Sequence, residues 1–266
     1  MPEVIPAQAA SKGTALTSVY DALQRVRQAS HDRAQPTAPL TGDPAPAPQQ
    51  QQQPLPARTP GPVAAELTPL LAAVRPLLDG ATGTVLHFVA AAAGEGTSIV
   101  AREFALLAAT TGRRRTLLID GARGDLQTAR YFGCDTSRGL IDGIWIGFDE
   151  ANLQRAVPGT ALSVACMVGD RGSGPADAAT LRALYAQLRH QFELIVVDCA
   201  AMERGEYSNL MPEEADGIFL VIRAEGTRPA VIVHAKALVE QAGGRFLGAV
   251  LNCRRNYIPG FLYRLL

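Results

Sequence analysis

The segment Ala90-Ala91-Ala92-Ala93-Gly94-Glu95-Gly96-Thr97-Ser98 has the spacing of a loop that wraps phosphate. Such loops read G-x-x-x-x-G-K-[ST]. Their backbone N–H groups cradle phosphates, the Lys reaches the β/γ-phosphates, and the Ser/Thr hydroxyl holds Mg²⁺. Gly96 and Ser98 stand in register with that pattern, but Ala91 occupies the first glycine position and Thr97 the lysine position. The candidate nucleotide-binding residues are therefore Gly94, Glu95, Gly96, Thr97 and Ser98, with Ser98 also a candidate magnesium ligand. Two carboxylates belong beside them. Asp198 ends the apolar run Leu194-Ile195-Val196-Val197, and Asp120 ends Thr116-Leu117-Leu118-Ile119. A carboxylate at a strand tip can hold Mg²⁺ directly or through water. One such Asp could merely cap the next helix. Two, together with the glycine loop, favour a magnesium–nucleotide site. Asp120 and Asp198 are thus candidate metal ligands and candidate catalytic residues. Arg102 lies one helical turn after Ser98 and is not expected to replace the missing lysine.

Residues so far apart in sequence need a sheet to bring them together. Apolar runs recur at Val85–Val89, Thr116–Ile119, Leu162–Met167, Leu194–Val197, Gly217–Ile222 and Phe246–Leu251. Helical sequence falls between them, near 63–78, 99–111, 176–191 and 230–241. Buried runs alternating with helices imply an α/β fold of the P-loop NTPase type. Its sheet is doubly wound and mostly parallel, with helices on both faces. Ligands of such sheets bind at the carboxyl ends of the strands, where Ser98, Asp120 and Asp198 all fall. Ahead of this domain, assigned to 63–266, Leu16, Val19, Tyr20, Leu23 and Val26 recur at helical spacing within an N-terminal segment, 1–31. Residues 32–62 are rich in Pro, Gln, Ala and Thr, including the run Gln49–Gln53. Such a composition cannot bury a core and reads as a disordered tether.

The chain has 266 residues, 47% of them hydrophobic, and a formal net charge of zero, which argues against a general nucleic-acid binder. Its only lysines are Lys12 and Lys236, so few could substitute for the absent loop lysine. Cys134, Cys166, Cys199 and Cys253 are widely spaced with no C-x-x-C pair, which reads as reduced thiols of a cytoplasmic protein rather than a zinc site. No signal peptide is evident, and no apolar run approaches the ~18 residues of a transmembrane helix. Membrane contact would have to run through a partner or a surface segment. His87, inside a strand, reads as structural.

Across residues 63–258 the chain resembles the cytosolic domain of bacterial tyrosine kinases, the BY-kinases of capsule and exopolysaccharide synthesis, which are relatives of the MinD/ParA ATPases. Their loop ends G-E-G-K-S where this chain has Gly94-Glu95-Gly96-Thr97-Ser98. Their L-L-I-D-A-D-L-R-R-P motif aligns with Leu117-Leu118-Ile119-Asp120-Gly121-Ala122-Arg123-Gly124-Asp125-Leu126. Phe192–Asp198, Ala215-Asp216-Gly217, Thr227-Arg228, Gly243-Gly244-Arg245 and Val250-Leu251-Asn252 are similar too.

The resemblance implies ATP or ADP with Mg²⁺ as ligands, bound in weakened form, and adds Asn252 to the nucleotide-binding residues. It offers Tyr257 and Tyr263 as candidate phosphoacceptors. It also implies a membrane polysaccharide co-polymerase, a chain-length regulator, as partner. The protein would then sit in the cytoplasm or at the inner membrane face. The departures fall on the working parts. Thr97 replaces the loop lysine, Ala122 replaces the second Asp, and Glu66, Pro69 and Ala72 stand at the E-x-x-R-x-x-R assembly motif. The expectation is a pseudokinase-like nucleotide-sensing or scaffolding subunit, monomeric or a small oligomer in isolation. The alternatives are an active tyrosine autokinase or ATPase and, third, a ParA/MinD-like positioning factor.

Overall fold

A computed structural model of the chain describes residues 58–80, 82–122, 126–146, 153–168, 177–202 and 212–254. The N-terminal segment 1–31, the linker up to residue 57, and both candidate phosphoacceptors, Tyr257 and Tyr263, lie outside the described residues.

Seven strands form one sheet: β1 (Thr84–Ala90), β2 (Thr116–Asp120), β3 (Arg155–Ala156), β4 (Leu162–Cys166), β5 (Leu194–Asp198), β6 (Gly217–Arg223) and β7 (Phe246–Asn252). Their order is β3-β4-β2-β5-β1-β6-β7. All neighbours are parallel except the two-residue β3, which pairs antiparallel with β4. The mostly parallel sheet is the architecture expected from the sequence. Every residue of β1, β2 and β5 is buried, as a strand covered on both faces requires.

Alternate residues serve the two faces. Val85, Val89, Leu117, Ile119, Ile195 and Val197 pack with Leu184 and Leu188 of α6 (Ala178–Gln191) and Val239 of α7 (Pro229–Gln241). Leu86, Phe88, Leu118 and Val196 pack instead with α1 (Pro62–Glu66), α2 (Thr68–Leu78) and α3 (Thr97–Thr111). The remaining helices, α4 (Gln127–Tyr131) and α5 (Leu140–Ile146), follow β2. Among the described residues no helix is long and apolar enough to cross a membrane.

The helix expected over 63–78 is two helices, broken at Leu67. Pro69 explains the break. It sits in the first turn of α2, where its absent N–H leaves nothing unpaired. In a continuous helix the same proline would delete an internal hydrogen bond. The short elements β3, α4 and α5 carry too few residues for a periodic signal, and sequence reasoning missed them.

The amino end of the sheet is tied by one arginine. Arg189, at the end of α6, donates to Asp216 Oδ2 at 2.6 Å and to the Glu214 carbonyl at 2.7 Å. Asp216 in turn accepts from the Val85 N–H at 2.7 Å, which anchors the start of β1. Removing the guanidinium strands these acceptors. We expect Arg189→Met to lower the unfolding free energy by roughly 1–3 kcal/mol, the usual effect of losing charge-assisted hydrogen bonds at a partly buried site. Urea titration measures it, and an unchanged midpoint would refute the clamp.

Candidate functional site

The carboxyl ends of β1, β2 and β5 open into a cleft of roughly 430 Å³. Its rim is the loop joining β1 to α3. After the buried strand, small residues let the chain turn sharply, and Gly94 and Gly96 take left-handed φ values of 82° and 88°. At Gly96 a Cβ would also overlap Asn252 Nδ2, so glycine is required there twice over. Gly96 caps α3 without a side-chain hydrogen bond. Its carbonyl accepts from Ile99 and Val100, both at 3.1 Å, while Thr97 and Ser98 precede any intrahelical acceptor. Their N–H groups, with the positive end of the helix dipole, suit an anion.

The loop is held from behind. Glu95 is 4% exposed, and its Oε2 accepts from Ala91 N–H at 2.9 Å and Ala92 N–H at 3.2 Å. Its Oε1 accepts from the Thr227 hydroxyl. The Asn252 amide donates to the Glu95 carbonyl at 2.8 Å. Glu95 and Asn252, read from the sequence as nucleotide-binding residues, therefore shape the loop with their side chains. Glu95 lines the cleft; Asn252 does not. Thr97 is buried, and its hydroxyl has no hydrogen-bond partner among the described residues.

Asp120 and Asp198 face each other in register on neighbouring strands. Asp120 Oδ2 accepts from the N–H groups of Thr128 and Ala129 at 2.9 and 3.0 Å, and Oδ1 from Ala122 at 3.2 Å. The Thr128 hydroxyl donates to Asp198 Oδ2 at 2.6 Å, and Ser98 hydrogen-bonds the same carboxylate. The sequence-predicted trio of Ser98, Asp120 and Asp198 thus converges. Burial, and secondarily the Asp198 charge, lifts the Asp120 carboxyl to about 7. Burial raises Asp198 as well, opposed by hydrogen bonds from Thr128 and Ser98 and by the charge of Arg102.

Among the described residues no group of three His, Cys, Asp or Glu side chains converges to hold a metal unaided. A hydroxyl plus two carboxylates suits Mg²⁺ only when phosphate oxygens and water complete its shell. Ser98, Asp120 and Asp198 could hold Mg²⁺ in company with a nucleotide's phosphates.

Arg102, one turn along α3 from Ser98, lines this cleft. Outside the cleft, His87 is fully buried with its Nε2 3.4 Å from the Tyr185 hydroxyl, and burial drives it down to about 3. That agrees with a structural histidine.

The raised Asp120 makes a pH prediction. In the unfolded chain it loses its proton near 3.8, whereas the folded protein keeps it to about 7. As pH rises between those values the unfolded state is favoured, so this group's contribution to stability falls across that window and is constant above it. Asp120→Asn removes the titration. Melting temperature should therefore fall less from pH 4 to 7 in Asp120→Asn than in the wild type. Parallel curves for the two proteins would exclude Asp120 as the source.

No family model matches the chain. The tyrosine-protein kinase CpsD of Streptococcus agalactiae serotype III is 24% identical over 177 residues, spanning 65% of this chain and 76% of that protein. The kinase domain of the Escherichia coli tyrosine kinase ETK superposes with a TM-score of 0.59 at 17% identity, over 74% of this chain and 80% of its own. The Pyrococcus furiosus cell division ATPase MinD superposes with a TM-score of 0.50 at 19% identity, over 67% and 77% respectively. The fold of the described residues is thus the one shared by bacterial tyrosine-kinase domains and MinD.

Proposed function

We propose that this protein is a nucleotide-binding, BY-kinase-like subunit of exopolysaccharide or capsule synthesis, in which phosphoryl transfer is impaired. The carrying observation is the state of the cleft. Its shape-holding parts are complete, while Thr97 and Ala122 replace two groups that would handle charge. Phosphoryl transfer depends almost wholly on positioning and on stabilising charged oxygens. Loss of one such group costs on the order of several decades in rate. Binding is less sensitive, because the loop N–H groups and the Ser98–Asp120–Asp198 cluster remain.

On this reading the loop N–H groups bind the phosphates, and Ser98, Asp120 and Asp198 would hold Mg²⁺ that screens phosphate charge. Nucleotide occupancy then reports to a membrane co-polymerase or chain-length regulator, with the protein cytoplasmic or peripheral at the inner membrane face. The two-helix start supports a role outside a kinase ring. Pro69 and Ala72 put no charge where the resemblance implies a docking arginine, and α1 and α2 are separate helices. One observation favours the alternative of an active autokinase: a cation, Arg102, does line the cleft.

Two measurements on the full chain test the proposal. Mg²⁺ with ADP should raise the melting temperature, because a ligand of the folded state stabilises it. Labelled ATP should give no more than very slow autophosphorylation, and Thr97→Lys alone should not restore full activity while Ala122 remains. No thermal shift at millimolar nucleotide would make the cleft vestigial. Robust phosphotyrosine on Tyr257 or Tyr263, lost in Asp198→Ala, would establish the active kinase instead.

A further inference from the structure

We infer that Arg102 is the phosphate-binding cation of this cleft, supplying from the flank of α3 the charge that Thr97 cannot, and that Tyr131 is the residue that positions it. The inference rests on the nucleotide reading above and names the side chain that makes it work.

Arg102 is the one cationic side chain among the described residues that line the cleft. It forms no ion pair with any described residue. Its charge is nonetheless felt at Asp198, on the cleft floor. Its neighbour Glu103 is engaged elsewhere, accepting from the Gly61 N–H at 2.6 Å. Arg102 stands four residues after Ser98, one turn or about 6 Å along the helix axis. Helical side chains lean toward the N-terminus and cover the turn before their own Cα. For Arg102 that turn is the first of α3, where the loop N–H groups gather. A long guanidinium side chain spans this distance, and its planar fork suits bidentate contact with phosphate oxygens.

The stack on Tyr131 gives Arg102 a defined place. The guanidinium carbon lies 4.1 Å from the Tyr131 ring centroid. Arg58 stacks on the same ring at 4.3 Å and donates to the Tyr131 hydroxyl at 3.1 Å and its carbonyl at 3.3 Å. Tyr131 ends α4, the helix whose first turn supplies the N–H groups bound to Asp120. One short helix therefore holds the acidic pair at its start and the arginine at its end. An arginine in no ion pair with a described residue, stacked on a tyrosine at the mouth of the loop, is available to an anion.

The test measures ADP affinity by calorimetry on the full-length wild type, Arg102→Ala, Arg102→Lys and Tyr131→Leu, with adenosine as the phosphate-free probe. Arg102→Ala should weaken ADP binding by roughly tenfold or more, as loss of a charge-assisted contact does. It should leave adenosine binding unchanged and make ADP affinity less dependent on salt. Arg102→Lys should retain an intermediate affinity. Tyr131→Leu should weaken ADP binding in the wild type but not in the Arg102→Ala background, a non-additivity that mere loss of packing would not produce. If the wild type binds ADP and Arg102→Ala binds it equally well, the inference fails and the nucleotide reading stands. If the wild type binds no ADP, both fail.

Discussion

The buried carboxylate of Glu95 is the contact on which the cleft depends. A carboxylate left there without partners would cost several kcal/mol or more of lost hydration, beyond what a neutral polar group would. Here two backbone N–H groups and the Thr227 hydroxyl satisfy it. Those bonds fix the exit from β1 and tie it to the segment after β6. Asn252, at the end of β7, adds the last restraint through the Glu95 carbonyl. The loop is consequently shaped by strands that contribute nothing to its own sequence, and β6 and β7 act as its support.

The acidic pair obeys a different constraint. Parallel register puts Asp120 beside Asp198, and two carboxylates there repel when both are ionised. The N–H groups of α4 and the hydroxyls of Thr128 and Ser98 offset part of that cost. The rest shows as the raised protonation of both acids. A site this acidic binds phosphate only if positive charge enters it. In most phosphate loops a lysine inside the turn supplies part of that charge. Here the cation that lines the cleft among the described residues, Arg102, stands a helical turn beyond the loop, against the end of the helix that supplies the backbone donors to Asp120.

Much of the fold was legible because strands buried on both faces must be apolar throughout. The runs Val85–Val89, Thr116–Ile119 and Leu194–Val197 mark β1, β2 and β5 to within a residue or so. Asp120 and Asp198 stood out as charges ending such runs, and the structure does bring them to Ser98. The supporting contacts left no comparable trace. Glu95 and Thr227 are 132 positions apart, and no periodicity links them. Glu95 between two glycines looked like a residue facing a ligand, yet its side chain turns back into the protein. Arg102 had the right spacing from Ser98, but only the arrival of Tyr131 on the five-residue α4 shows where it rests. Pro69 lies in the first turn of α2, although the apolar pattern over 63–78 reads as one continuous helix. Local pattern reports what each segment buries. It is silent on which distant side chain will arrive beside it.

The division of labour around Gly96 has an evolutionary consequence. Among the described residues, none of the bonds that hold the loop runs through the side chain of residue 97, whose hydroxyl has no hydrogen-bond partner there. Lysine and threonine codons can differ by a single base. A change at that codon can therefore alter the chemistry of such a loop while the hydrogen bonds that hold its shape stay in place. Where the residues that hold a loop's shape are separate from those that do its chemistry, a lineage can shed the second while the first keeps the architecture intact.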